Sequence, residues 1–186
     1  MRRPDKFYCR SWFCMLMLVL ACIAGVAQAA APNIVPTQQR SSQQTVNIEI
    51  TTHLGDQQVF QEQDVISFYI SLDQAAFLYV FYQDASGKIF QLMPGKAQPE
   101  HYFTAGYYIP FPAQTSPFKF VVQAPFGEEQ LWVFASDQAQ LEFKGHEVAQ
   151  GIKQVVLDYV KLAEYIKSAS PKLYGKARLT IQTRGR

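Results

Sequence analysis

The chain has 186 residues, a formal net charge of +2, and 48% hydrophobic and 14% aromatic residues. That length lets one domain bury a core without covalent staples, and the near-neutral balance argues against a general nucleic-acid binder. The cysteines are Cys9, Cys14 and Cys22, so everything after Cys22 lacks a disulfide, a thiol nucleophile and a cysteine metal site.

The N-terminus carries Arg2, Arg3, Lys6 and Arg10, then an apolar run from Trp12 to about Val26 that closes on Ala27-Gln28-Ala29. This is the layout of a secretory signal peptide over residues 1–29, cleaved near Ala29. The run is about 15 residues, shorter than the roughly 20 a spanning helix needs, so a retained anchor is the lesser reading. Lipidation at Cys22 is the other rival. Val19-Leu20-Ala21-Cys22 is a loose lipobox, with bulky Leu20 where a small residue is usual. The leader holds four basic residues and Asp5, a net +3, so cleavage takes the chain from +2 to −1. The expected location is periplasmic or secreted. Residues 30–45 hold Pro32, Pro36 and a run of Gln and Ser, the composition of a flexible linker. Residues 46–186 are expected to form a single domain.

Val46, Ile48 and Ile50 alternate with polar residues, which predicts a half-buried strand that ends at Thr52-His53. A short strand follows around Phe60, and a stronger one over Val65–Ser71. Ala76-Phe77-Leu78-Tyr79-Val80-Phe81-Tyr82 is the densest apolar run and predicts a central strand covered on both faces. Asp84-Ala85-Ser86-Gly87 signals a hairpin whose return strand is Lys88–Leu92. Tyr107-Tyr108-Ile109 is expected as a short strand stopped by Pro110. Phe118–Val122, Gln130–Ala135 and Ala177–Ile181 complete the series.

One segment reads as helical. Val148, Ile152, Val155, Tyr159, Leu162 and Ile166 recur at spacings of three and four, which predicts a helix over about 146–168, stopped by Pro171. Gly151 would weaken it by about 1 kcal/mol relative to Ala. The expected fold is mainly β: a two-layer, Ig-like β-sandwich of about eight strands, with the helix capping one open end or edge. A small β-barrel is the alternative.

In order, the Phe60 region, Asp64-Val65-Ile66-Ser67-Phe68, Tyr79-Val80-Phe81-Tyr82, Asp84-x-x-Gly87, Leu92-Met93-Pro94, Tyr107-x-Ile109-Pro110 and Pro125-x-Gly127 form a series. Over roughly residues 46–134 it resembles a bacterial domain-of-unknown-function family, number 4384. Gly95-Lys96-Ala97 departs from the Asn-rich turn usual there. The resemblance implies a non-catalytic accessory module of envelope proteins and supplies no catalytic residues.

Catalytic and metal motifs are absent from the sequence pattern. The serines occur in no G-x-S-x-G elbow, and His53, His101 and His146 are scattered without metal-ligand spacing. Glu128-Glu129 are strand neighbours that would point to opposite faces, and are expected to flank a turn and stay solvated. The expectation is therefore no enzyme, with no catalytic, metal or cofactor-binding residues and no cofactor. Phe and Tyr supply 14 and 10 residues, most of them for the core. Exposed tyrosines make recognition surfaces, so Tyr69, Tyr79, Tyr82, Tyr107 and Tyr108 are candidates for an interaction surface. Arg178, Arg184 and Arg186 join them from a basic C-terminal cluster. The expected role is protein–protein interaction within an envelope assembly, the partner being another envelope protein. An anionic cell-wall glycan or lipid headgroup is the alternative ligand, and a hydrolase is the weakest reading.

Overall fold

The computed structural model describes residues 42–55, 57–149, 151–169 and 172–186. The signal-peptide, cleavage and lipidation readings, most of the linker, and Pro171 as a helix stop lie outside them. In chain order the elements begin with β1 (Gln44–Thr45), β2 (Ile48–Thr52), β3 (Val59–Gln61), β4 (Val65–Ile66) and β5 (Phe68–Leu72). There follow β6 (Ala76–Gln83), β7 (Ile89–Met93), β8 (Tyr102–Phe103), β9 (Ile109–Phe111) and β10 (Phe120–Val121). The last are β11 (Glu128–Ser136), β12 (Gly145–Ala149), β13 (Ile152–Val155), α1 (Tyr159–Ala169) and β14 (Leu173–Arg184).

The large sheet runs β1-β14-β11-β6-β7-β13-β12, with β3 also on β14 and β8 also on β6. β1 and β3 join β14 in parallel, and the other pairings are antiparallel. A three-stranded sheet, β2-β5-β9, and the β4-β10 pair form the second layer. β12 and β1 end the large sheet without meeting, so among the described residues it is open and no barrel closes.

The apolar run of β6 explains why the large sheet is central. Strand side chains alternate between faces. Leu78 and Val80, with Leu131, Val133 and Ile181, pack against Phe68, Ile70, Phe111 and Phe120 of the second layer. Tyr79 and Phe81, with Trp132 and Phe134, pack on the opposite face against Phe143, Leu162 and Ile166. The fold is a β-sandwich with a third, helical layer over one sheet face. The expectation that α1 caps an open end or edge is corrected accordingly: it lies across β11 and β14.

The predicted helix over 146–168 is also corrected. Its first half is the β12-β13 hairpin, in which Gly145 pairs with Val155 and His146 with Gln154. Gly151 sits at φ +83°, and a Cβ there would meet Lys96 Cβ at 2.4 Å, so this glycine is a turn residue. Val148, Ile152 and Val155 keep helical spacing, but in the hairpin Ile152 and Val155 pack on opposite sheet faces. The turn and the pairing of β13 with β7 decide for strand, where β-branched residues sit well. The helix starts only at Tyr159, capped by Asp158 Oδ1, which accepts from Lys161 N–H at 2.9 Å.

Other differences are smaller. Gln44–Thr45 of the expected linker pair with Leu173–Tyr174 as β1. Pro110 lies inside β9 opposite Tyr69 and does not stop the strand. β9 is a sheet edge, where a missing N–H is tolerated. The Asp84–Gly87 hairpin forms as expected. Asp84 Oδ1 accepts from Ser86 N–H and Lys88 N–H, both at 2.9 Å, and Gly87 takes φ +83°.

Candidate functional site

The five tyrosines do not form one surface. Tyr79 is fully buried under the helical layer, so its place on an interaction surface is corrected. Its hydroxyl donates to Gln138 O at 2.7 Å, and its ring meets Phe143 edge-on at 5.6 Å. Burial pushes its pKa up to about 12. Tyr82 is half-buried on the opposite sheet face, against the second layer. Tyr69 is half-buried in β5 opposite Thr51 and Pro110. Tyr107 and Tyr108 are exposed in the loop before β9, and Tyr107 is tied through its hydroxyl to Thr104 Oγ1 at 2.6 Å. Arg178, Arg184 and Arg186 are all exposed. Arg178 and Lys176 lie 5.7 and 5.6 Å from the Tyr159 ring centroid.

What the fold builds lies on the other face of β14 and β11. β7, β13 and β12 extend the large sheet, and beside them the 118–125 segment leaves a groove of about 270 Å³. Tyr82, Phe90, Leu92, Phe118, Phe120 and Ile152 supply its apolar walls. The rings brace one another: Tyr82 meets Phe120 edge-on at 4.6 Å, and Phe118 meets Phe120 edge-on at 6.2 Å. Exposed Val148 lies at the β12 side of the groove, and Asp84 and Lys119 are its charged members besides Glu129.

Glu129 is the unexpected group. Sequence reading places it solvated beside Glu128. Glu128 is exposed, but Glu129 is only 3% exposed and its carboxylate borders the groove. Alternation in β11 turns Glu129 to the same side as Leu131 and Val133, inward. There the Tyr82 hydroxyl donates to Oε2, and Thr183 Oγ1 donates to Oε1 at 3.0 Å. Thr183 of β14 is itself positioned by the turn before β11: its Oγ1 accepts from Gly127 N–H at 3.1 Å. Burial raises the Glu129 pKa, the Tyr82 and Thr183 bonds work against that rise, and the nearby Asp84 charge adds to it. Tyr82 is pushed far upward, first by burial and then by donating to Glu129. Among the described residues the ion pairs are Lys96–Glu147 and Lys161–Asp158, neither of which reaches Glu129.

Two acceptor sites of the carboxylate are used by Tyr82 and Thr183, while a carboxylate offers about four. The arrangement can hold a hydrogen-bond donor or a positive charge presented from the groove. His101 is remote from it, bridging Pro99 O at 3.1 Å and Ala139 O at 3.0 Å beneath the Phe77 and Tyr79 rings. Among the described residues no group of three or more His, Cys, Asp or Glu is placed to hold a metal ion.

Fold and groove define the class: a β-sandwich domain with an added helical layer and an aromatic groove at the open end of its large sheet. Residues 59–139 match the family described as Domain of unknown function (DUF4384), the family that the ordered motifs resemble. The matched segment runs from β3 to just past β11. Neither the curated proteins nor the solved structures contain a match. Tyr82 and Glu129 lie inside the matched segment; Thr183 and the hairpin side of the groove lie outside it.

Proposed function

We propose that this protein is a non-catalytic interaction module of the bacterial cell envelope, exported by its N-terminal leader. It binds another envelope protein by strand addition at β12. The observation that carries the reading is the position of β12, which pairs with β13 on one side and ends the large sheet on the other. An unpaired edge offers main-chain donors and acceptors to an incoming strand, and adjacent pockets supply the selectivity. Val148 stands where that edge meets the groove and is 46% exposed.

Val148→Pro tests this. Val148 falls in the irregularity between the Glu147 and Ala149 pairings and has no partner in the register, so proline there spares the hairpin and blocks the edge. Cross-linked capture from whole cells should recover one dominant envelope protein with the native chain and lose it with Val148→Pro, at an unchanged melting temperature. Equal recovery would refute edge pairing. The N-terminus of the captured chain, read by mass spectrometry, checks export: Ala30 at the front supports cleavage after Ala29.

A second reading rests on the opposite face. Exposed Lys176 and Arg178 flank the Tyr159 ring, a pairing of charge and stacking surface suited to an anionic glycan or lipid headgroup. Binding of that kind should weaken steeply as salt rises.

A further inference from the structure

We propose that the aromatic groove is a receptor for one basic side chain, a lysine or arginine of the partner strand, held with its charge against Glu129. This rests on the strand-addition reading and names what the edge selects. A carboxylate taken out of water is stable as an anion only when paired and hydrogen-bonded. Glu129 is 3% exposed, has two hydroxyl donors and, among the described residues, no cation. The groove it borders is the open side from which a cation can reach it.

The walls fit the rest of such a side chain. Tyr82, Phe90, Phe118 and Phe120 give a methylene stem apolar surface to lie along. The same rings attract a cation through their faces. Asp84, on the β6-β7 turn, adds a second negative charge to the lining. The volume of about 270 Å³ is below the range typical of drug-sized ligands and suits a single side chain. Lys119 is the lining's own cation; it is exposed and makes no ion pair with Glu129. Position supports a side chain from a strand on β12, because Val148 of β12 and Ile152 of β13 belong to the same groove.

The test is calorimetric titration of the full chain with capped alanine peptides carrying one central lysine, arginine, norleucine or glutamate. Lysine and arginine peptides should bind, and norleucine should bind about tenfold more weakly, the scale of one charge-assisted contact. Glu129→Gln should remove that preference while the chain stays folded by circular dichroism. Should Glu129→Gln not fold, Phe118→Leu is the second variant, and it should weaken lysine and norleucine peptides alike. Equal affinity for lysine and norleucine would overturn the proposal, as would no binding at millimolar peptide or an unchanged preference in Glu129→Gln. The two readings separate in the capture experiment. Partner loss with Val148→Pro but full recovery with Glu129→Gln would sink the receptor and keep strand addition; full recovery with both would sink strand addition itself.

Discussion

Replacing Leu162 with alanine asks whether α1 is a true third layer. Leu162, Ala163 and Ile166 are the buried residues of α1, and Leu162 is fully enclosed within the cluster that holds Tyr79, Phe81, Trp132 and Phe134. Truncation removes the transfer energy of the lost methyl and methine groups and leaves a cavity that the aromatic rings around it fill only in part. Leu→Ala at such sites costs about 2–5 kcal/mol, and a value near 3 is expected here. For a domain of this size that lowers the melting temperature by about 6–12 °C. The control is Val160→Ala on the same helix. Val160 is 61% exposed, and the change should stay within about 0.5 kcal/mol. Urea unfolding followed by circular dichroism at equal m-values gives both numbers. Equal, small losses in the two variants would refute the packing of α1 on the sheet.

Three further outcomes follow from named contacts. Tyr79→Phe strips the donor from the half-buried Gln138 carbonyl and should cost about 1–2 kcal/mol in the same unfolding assay; a loss under about 0.3 would show that the bond carries no net stability. Burial lifts the Glu129 carboxyl above its ordinary value of 4.5, so the folded chain binds that proton more tightly than the unfolded chain. Its contribution is therefore greatest at low pH and is lost as pH rises from 4.5 through the folded value. Glu129→Gln stays neutral and should flatten that decline; matching pH slopes in the two proteins would contradict it. Gly175→Ala places a Cβ 2.5 Å from Val46 O and should cost about 1–3 kcal/mol, measured by thermal melting; an unchanged melting temperature would mean that β1 is not seated against β14.

Much of the sandwich is written locally. Val65–Ser71 and Ala76–Tyr82 carry strand signals within a few residues, and Asp84 and Gly87 fix their turn with their own side chain and dihedral. The β12-β13 hairpin is less legible because Val148, Ile152, Val155 and Tyr159 have the spacing of a helix face. Only the turn at Gly151 and the distant partner β7 separate the alternatives. The candidate site is hardest to read. Alternation says that Glu128 and Glu129 face opposite ways but not which one faces in. That is decided by Tyr82 and Thr183, 47 and 54 residues away. Tyr79 shows the same limit: a run covered on both faces hides which of its tyrosines meet water.

The place of β14 bears on how the chain reaches this state. The last strand along the sequence is not at the margin: it lies between β11 and the short strands β1 and β3, and it registers with the whole of β11 from Glu128 to Ser136. Any chain delivered N-terminus first must carry β11 with one flank bare, and Trp132 and Phe134 without their helical cover, until residues 159–184 arrive. A polypeptide cut after the matched segment would stay in that condition permanently, sticky and prone to self-pairing. The natural unit of folding is thus longer than the unit of family resemblance, and a chaperone that shields nascent strands would find its substrate in that interval.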